Sequence, residues 1–278
     1  MAEKAKEYLI ETSVVPAAVG ASTTAHIQHY ADAVRDGRLL TSTYIRKEFL
    51  LAFFCELVYA AFFIGQRTSV RDSLILLAQR YSPRKIKVDM TAIAILLEER
   101  KAMHSPNVAA EELGSLAIKW LKSFDRVFRE KIPNEVGCRI GDKRPSIDYN
   151  TMLKDLYAFY EDFTDPVDDC PVNDFLGVGS PNGRGQALIT EKKVQKIDSV
   201  KELAKLLADE ERFVCDDCRK IGDAVIALEQ PADVCLVHID HVYTKFCSFL
   251  RREHKPIKSA IAIDNEGMEA PDKQSRAG

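Results

Sequence analysis

Apolar positions along the chain follow two rhythms. Near both ends, short continuous apolar runs alternate with helix-spaced segments; through the middle only the helical rhythm persists. The first run, 7–15 (EYLIETSVV), predicts a short buried strand in which Tyr8, Leu9 and Ile10 give way at once to Glu11, Thr12 and Ser13. A helix is expected over 24–35, stopped at Gly37, then a second short strand over 39–42 (LLTS). Another helix starts near Thr43, with Ser42 or Thr43 as N-cap, because such hydroxyls accept from the orphan N–H groups of a first turn. It runs into Phe49 to Gly65 (FLLAFFCELVYAAFFIG), whose only charge is Glu56. A spanning helix needs about 20 apolar residues, and a carboxylate near its middle is costly. The run therefore reads as a buried core helix, and no membrane is expected.

The middle predicts helices over 69–81, 91–103 and 109–129, the last with Trp120, Phe124 and Phe128 recurring every four residues as a packing stripe. Composition shifts at Pro133: 133–149 and 164–185 are rich in Gly, Pro and Asp, and a short helix over 149–163 separates them. Residues 187–190 (ALIT) read as another strand. A helix over 199–212 opens with Ser199 and Glu202 in capping-box spacing. A helix over 221–228 precedes 234–239 (VCLVHI), a continuous apolar run of the kind buried in parallel sheets. A helix over 242–252, a last strand over 256–263 and a polar, disordered tail over 264–278 complete the chain. Alternation of strand and helix at both ends argues an α/β layered fold with a helical insertion between.

Composition narrows the class. With 278 residues the chain is long enough for a real core. Its 46% apolar and 29% charged residues are ordinary for a globular protein. A net charge of −3 excludes a globally basic nucleic-acid binder, though not a local basic patch. Seven cysteines, with no apolar leader among the first eleven residues, predict a reducing, cytoplasmic setting with thiols or a metal site rather than a disulfide framework.

The chemistry gathers in acids. Ligands of parallel α/β sheets collect at the carboxyl ends of the strands. The first strand leads into Glu11, and 234–239 leads into Asp240. Asp223 opens a helix in GDAVIAL, and Glu48 lies on the helix after the second strand, in STYIRKEFL. Converging carboxylates repel one another unless a cation sits among them, and hard Mg2+ or Mn2+ prefers oxygen ligands. Thr12 and Ser13 either orient a metal-bound water or simply form a turn. His238, two residues before Asp240, reads as a packed histidine. The third of three basic clusters (Lys245, Arg251, Arg252, Lys255) follows Asp240 most closely; the others are Arg80, Arg84, Lys85, Lys87 and Lys192, Lys193, Lys196. Each tracks phosphates or is a solvated face. Cys215 and Cys218 form a C-x2-C knuckle just before Asp223; with Cys138 and Cys170 they make either a four-cysteine zinc site or packed thiols.

The four acidic segments, in order, resemble the PIN-domain nuclease family: a strand, an acid and a hydroxyl residue (YLIETS); a strand, Ser/Thr and a helix bearing Glu (GRLLTSTYIRKEFL); an Asp opening an Ala- and Ile-rich helix (GDAVIAL); and a strand, Asp and an aromatic (LVHIDHVY). The resemblance covers 5–60 and 187–262. It implies a PIN-like three-layer fold with a central parallel sheet, built from 1–65 and 187–263, with a helical insertion over 66–186. It further implies an endonuclease in which Glu11, Glu48, Asp223 and Asp240 hold Mg2+ or Mn2+, acting on RNA or, alternatively, DNA. Thr12, Ser13, Lys245, Arg251 and Arg252 are the expected substrate contacts. The family's first acid is usually Asp, and Glu stands here, so the alternative is an inactive nucleic-acid-binding or scaffolding protein on the same fold.

Overall fold

The computed structural model describes residues 5–80, 86–146, 148, 150–164, 170–180, 182–208 and 215–259, with backbone alone at 80, 86–92, 164 and 215–217. The chain divides into two compact units: Met1–Glu48 with Ser123–Asp142 and Pro166–Gly278, and Phe49–Lys122 with Lys143–Asp165.

The first unit holds a five-stranded, wholly parallel sheet: β1 (Glu7–Ile10), β2 (Arg38–Thr41), β3 (Glu130–Lys131), β4 (Cys235–His238) and β5 (His254–Pro256), in the order β3-β2-β1-β4-β5. The fold is α/β, as expected. β1 lies at the centre, registered Leu9 to Leu40 on one side and Leu9 to Leu236 on the other. Leu9, Ile10, Leu236 and Val237 are fully buried, which is why these strands carry no polar alternation. The chain leaves β1 toward β2 on one side and meets β4 on the other. The gap between the carboxyl ends of β1 and β4 is therefore the point where strand order reverses, the usual ligand crevice of such sheets.

Several sequence expectations need correction. The ALIT segment is not a strand: it lies in the helix Arg184–Thr190. β3 was not anticipated, and it draws 123–142, with 166–186, into the sheet unit rather than into the insertion. The last strand is His254–Pro256 rather than 256–263, of which 260–263 lies outside the described residues, as do the tail 264–278 and much of the basic cluster around Arg84. The helix expected over 199–212 starts at Asp198, so Ser199 is buried within its first turn and makes no capping box. Ser42 is the N-cap of the following helix: its Oγ accepts from Ile45 N–H at 3.1 Å.

The second unit is helical among its described residues. The helical run Thr43–Gly65 is long and apolar enough to cross a membrane, yet half of its most apolar window is buried. Within this unit it packs on the helix Met152–Thr164. Phe62 stacks on Tyr157 at 3.7 Å between ring centroids, and Phe54 meets Phe159 edge-on at 5.7 Å. Such aromatic pairs add about 0.5–1.5 kcal/mol each beyond area burial.

Candidate functional site

Each acid is placed by the element that carries it. Glu11 extends β1: its N–H still donates to Val237 O at 3.0 Å, so its side chain leaves the sheet at the β1–β4 crevice. Asp240 follows β4 by two residues. Its exposed carboxylate accepts from Val242 N–H at 2.9 Å in a turn just before the helix Val242–Leu250, whose N-cap is His241. Glu48 ends the sheet unit's share of the helix Thr43–Phe49. Asp223 lies in the first turn of the helix Gly222–Glu229.

Their charges report on one another. Burial pushes the Glu11 carboxyl up to about 7; its hydrogen bonds from Ser13 oppose the rise, and the charges of Glu48 and Asp223 add to it. Burial also lifts Glu48 to about 7, against the Thr12 hydroxyl and the Lys47 charge and with Asp223 and Glu229 adding to the rise. Asp223 is raised by burial and then by Asp240, while a bond from Tyr243 opposes this. Glu11, Glu48 and Asp223 thus feel one another's charges, and Asp240 joins them through Asp223 alone.

The hydroxyls that follow Glu11 are engaged with carboxylates. Thr12 Oγ1 donates to Glu48 Oε2 at 2.6 Å. Ser13 N–H donates to Glu11 Oε1 at 2.9 Å, and Ser13 Oγ donates to Glu11 Oε2. Gly222 is fitted against Glu48: a Cβ there would collide with Glu48 Oε1 and lie 3.5 Å from the Tyr44 hydroxyl.

Among the described residues, no group of three or more His, Cys, Asp or Glu side chains is arranged so that it could hold a metal ion. The four groups offer oxygen, the donor type a hard divalent ion prefers, and burying several carboxylate charges together is unfavourable without a cation.

The expected substrate contacts divide. Lys245 and Arg251 are exposed beyond Asp240. Arg252 is otherwise occupied: its Nη1 donates to Ala227 O at 2.8 Å and to Leu228 O at 3.2 Å. It therefore caps the carboxyl end of the helix whose other end carries Asp223, and cations are favourable at such ends. His238 is packed: its ring faces Tyr243 at 5.6 Å and Nε2 meets His254 Nδ1 at 3.1 Å, while burial, then the His254 charge, lowers it to about 4.

Three contributors escaped the sequence reading. The buried Tyr243 donates its hydroxyl to Asp223 Oδ1 at 3.3 Å. Tyr44 lies against Gly222 and feels the Glu48 charge. Glu229 is buried, accepting from Ser42 Oγ at 2.7 Å and Val136 N–H at 2.8 Å. Only Tyr243 left a signal, as the aromatic shortly after Asp240 in LVHIDHVY. Comparison of the chain with protein-family models, with curated proteins and with solved structures finds no match to any of them.

Proposed function

We propose that the chain is a PIN-like, divalent-metal-dependent endonuclease acting on RNA in the cytoplasm, with Glu11, Glu48, Asp223 and Asp240 holding Mg2+ or Mn2+. One observation carries the reading. Glu11 leaves β1 at the β1–β4 crevice, its carboxyl is raised by the charges of Glu48 and Asp223, and Asp240, just beyond β4, raises Asp223 in turn. Burial holds the Glu11 and Glu48 carboxyls up to about 7, and a bound divalent ion would favour their charged form.

Such an ion, when bound, activates water and neutralises charge developing on a phosphodiester. The chain's own groups would do the rest. Thr12 and Ser13 hold the Glu48 and Glu11 carboxylates in place, Tyr243 fixes Asp223, and Gly222 lets Glu48 approach by lacking a side chain. Exposed Lys245 and Arg251 stand beyond Asp240 as phosphate contacts. The choice of RNA rests on the family resemblance.

The test is cleavage of single-stranded RNA with Mg2+ or Mn2+. Asp223→Asn and Asp240→Asn are expected to lower the rate at least about 100-fold, in line with loss of a group stabilising transition-state charge, while leaving a folded protein by circular dichroism. Cleavage that persists in EDTA, or is unchanged in both variants, overturns the assignment. A chain that binds RNA without cutting it fits the scaffold alternative instead.

A further inference from the structure

The acidic site leaves two features of the sheet unit unused, its cysteines and a cavity. Among the described residues, Cys138, Cys170 and Cys218 are buried and are not arranged to hold a metal ion, and the side chain of Cys215 lies outside the described residues. The cavity holds more chemistry. Its volume is about 420 Å³, within the range of small-molecule sites, and it lies wholly within the sheet unit, at the carboxyl end of the helix Gly222–Glu229. Its walls include apolar Leu188, Leu228, Phe249 and Leu250 and two guanidiniums, Arg184 and Arg252. Arg252 is fixed by the carbonyls of Ala227 and Leu228, both accepting from Nη1, while its Nε and Nη2 donate to none of the described residues. Arg184 lies over the Phe175 ring, its guanidinium carbon 4.5 Å from the centroid, and makes no hydrogen bond or ion pair among the described residues. Glu229, the acid among the described lining residues, does not pair with either: its two oxygens accept from Ser42 Oγ and Val136 N–H. Burial lowers the Arg252 pKa; the Cys247 thiol opposes that fall and the charge of Arg184 adds to it.

We propose that this cavity binds a small phosphomonoester with an apolar or planar body. Arg184 and Arg252 hold the phosphate, and Leu188, Leu228 and Phe249 take the body. The balance of charge favours phosphate over carboxylate. Two cations share one cavity with no carboxylate paired to them, so the anion that suits them carries more than one charge. A phosphomonoester carries about −1.5 to −2 at pH 7, whereas a carboxylate carries a single charge. The planar fork of a guanidinium also matches two phosphate oxygens at once. Arg252 is already oriented for this by its two carbonyl bonds, which lowers the ordering cost of binding. Arg184 is exposed, and stacking on Phe175 occupies the face of its guanidinium rather than its N–H edge. The site is separate from the carboxylates, since Asp223 lies in the first turn of the helix whose other end borders the cavity.

The test is isothermal titration of the full chain, in EDTA, with phenyl phosphate, inorganic phosphate and phenol as probes. EDTA keeps divalent ions from the carboxylates, so the result does not depend on whether the chain cuts RNA. Saturable binding of phenyl phosphate, about one per chain, is expected, tighter than that of inorganic phosphate or phenol. Arg184→Ala should weaken it at least about tenfold, in line with loss of a charge-assisted hydrogen-bonding partner. Because Arg184 is exposed and holds no other described residue by a hydrogen bond, the variant should stay folded by circular dichroism. If it does not, Arg184→Lys keeps the charge, loses the fork, and should still weaken binding several-fold. Absence of saturable phenyl phosphate binding overturns the proposal. So does equal binding by the wild type and the folded variant, or inorganic phosphate that binds as tightly as phenyl phosphate, since the apolar walls would then have no part.

Discussion

Glu229 is buried in the helix Gly222–Glu229, and its two acceptor bonds, from Ser42 Oγ and Val136 N–H, join β2's exit to the segment after β3. Burial outweighs those bonds and lifts it from 4.5 to about 7. A folded pKa above the unfolded one means that the native state holds the proton more tightly. This group's contribution to stability is therefore full below pH 4.5, falls as pH rises from about 4.5 to about 7, and is flat beyond. Glu229→Gln keeps an acceptor and removes the titration. Urea denaturation at about pH 5 and about pH 7 is expected to show a smaller stability difference in the variant, by about 1–3 kcal/mol. An identical difference in both proteins assigns the slope to other groups, with Glu11 and Glu48 sharing its sign.

At the scale of elements, the helix Gly222–Glu229 approaches the helix Thr43–Phe49 through the bare backbone of Gly222. Gly222→Ala is expected to cost about 1–3 kcal/mol by overpacking. Because the displaced atom is Glu48 Oε1, Mn2+ affinity should fall with it, which isothermal titration of the folded variant measures. Unchanged affinity would remove Glu48 from the ligand set. The elements that were legible in the sequence share a property: β1 and β4 are buried on both faces, so their composition alone marks them, and Glu11 and Asp240 stand out as acids just beyond apolar runs. β3 was not legible because both of its residues are exposed, and only the pairing of Glu130 with Leu40 and of Lys131 with Thr41 makes it a strand. ALIT misled because four apolar and β-branched residues fit a strand or a helix equally, and the helix begins three residues earlier, at Arg184. Arg252 shows another limit. A sequence displays its charge, but the carbonyls of Ala227 and Leu228 that claim it are fold-dependent. Glu229 was hidden for a similar reason, since its partners come from elements remote in sequence.

For the molecule as a whole, the sheet unit is assembled from separate stretches of chain, and its central strand has partners of very different age. β2 pairs Arg38 with Glu7 on one side, whereas Tyr8 pairs with the far later Cys235 on the other. Loop closure over such a span is entropically the harder step. A chain ending at residue 230 should keep the second unit's helical signal but leave β1 unpaired along one edge. Hydrogen exchange is expected to show protected amides in helices near 55–65 and 152–164, with none at Glu11, whose N–H donates to Val237 of β4 in the full chain. Protection of Glu11 in that fragment would mean that this edge of β1 is covered without β4. During synthesis the same geometry sets a waiting time. At about 5–20 residues per second, the ribosome needs roughly ten seconds to most of a minute to deliver β4 after β1 has emerged. Throughout that interval an apolar strand offers an open edge to any neighbour, so the newborn chain depends on being sheltered for longer than its size alone would suggest.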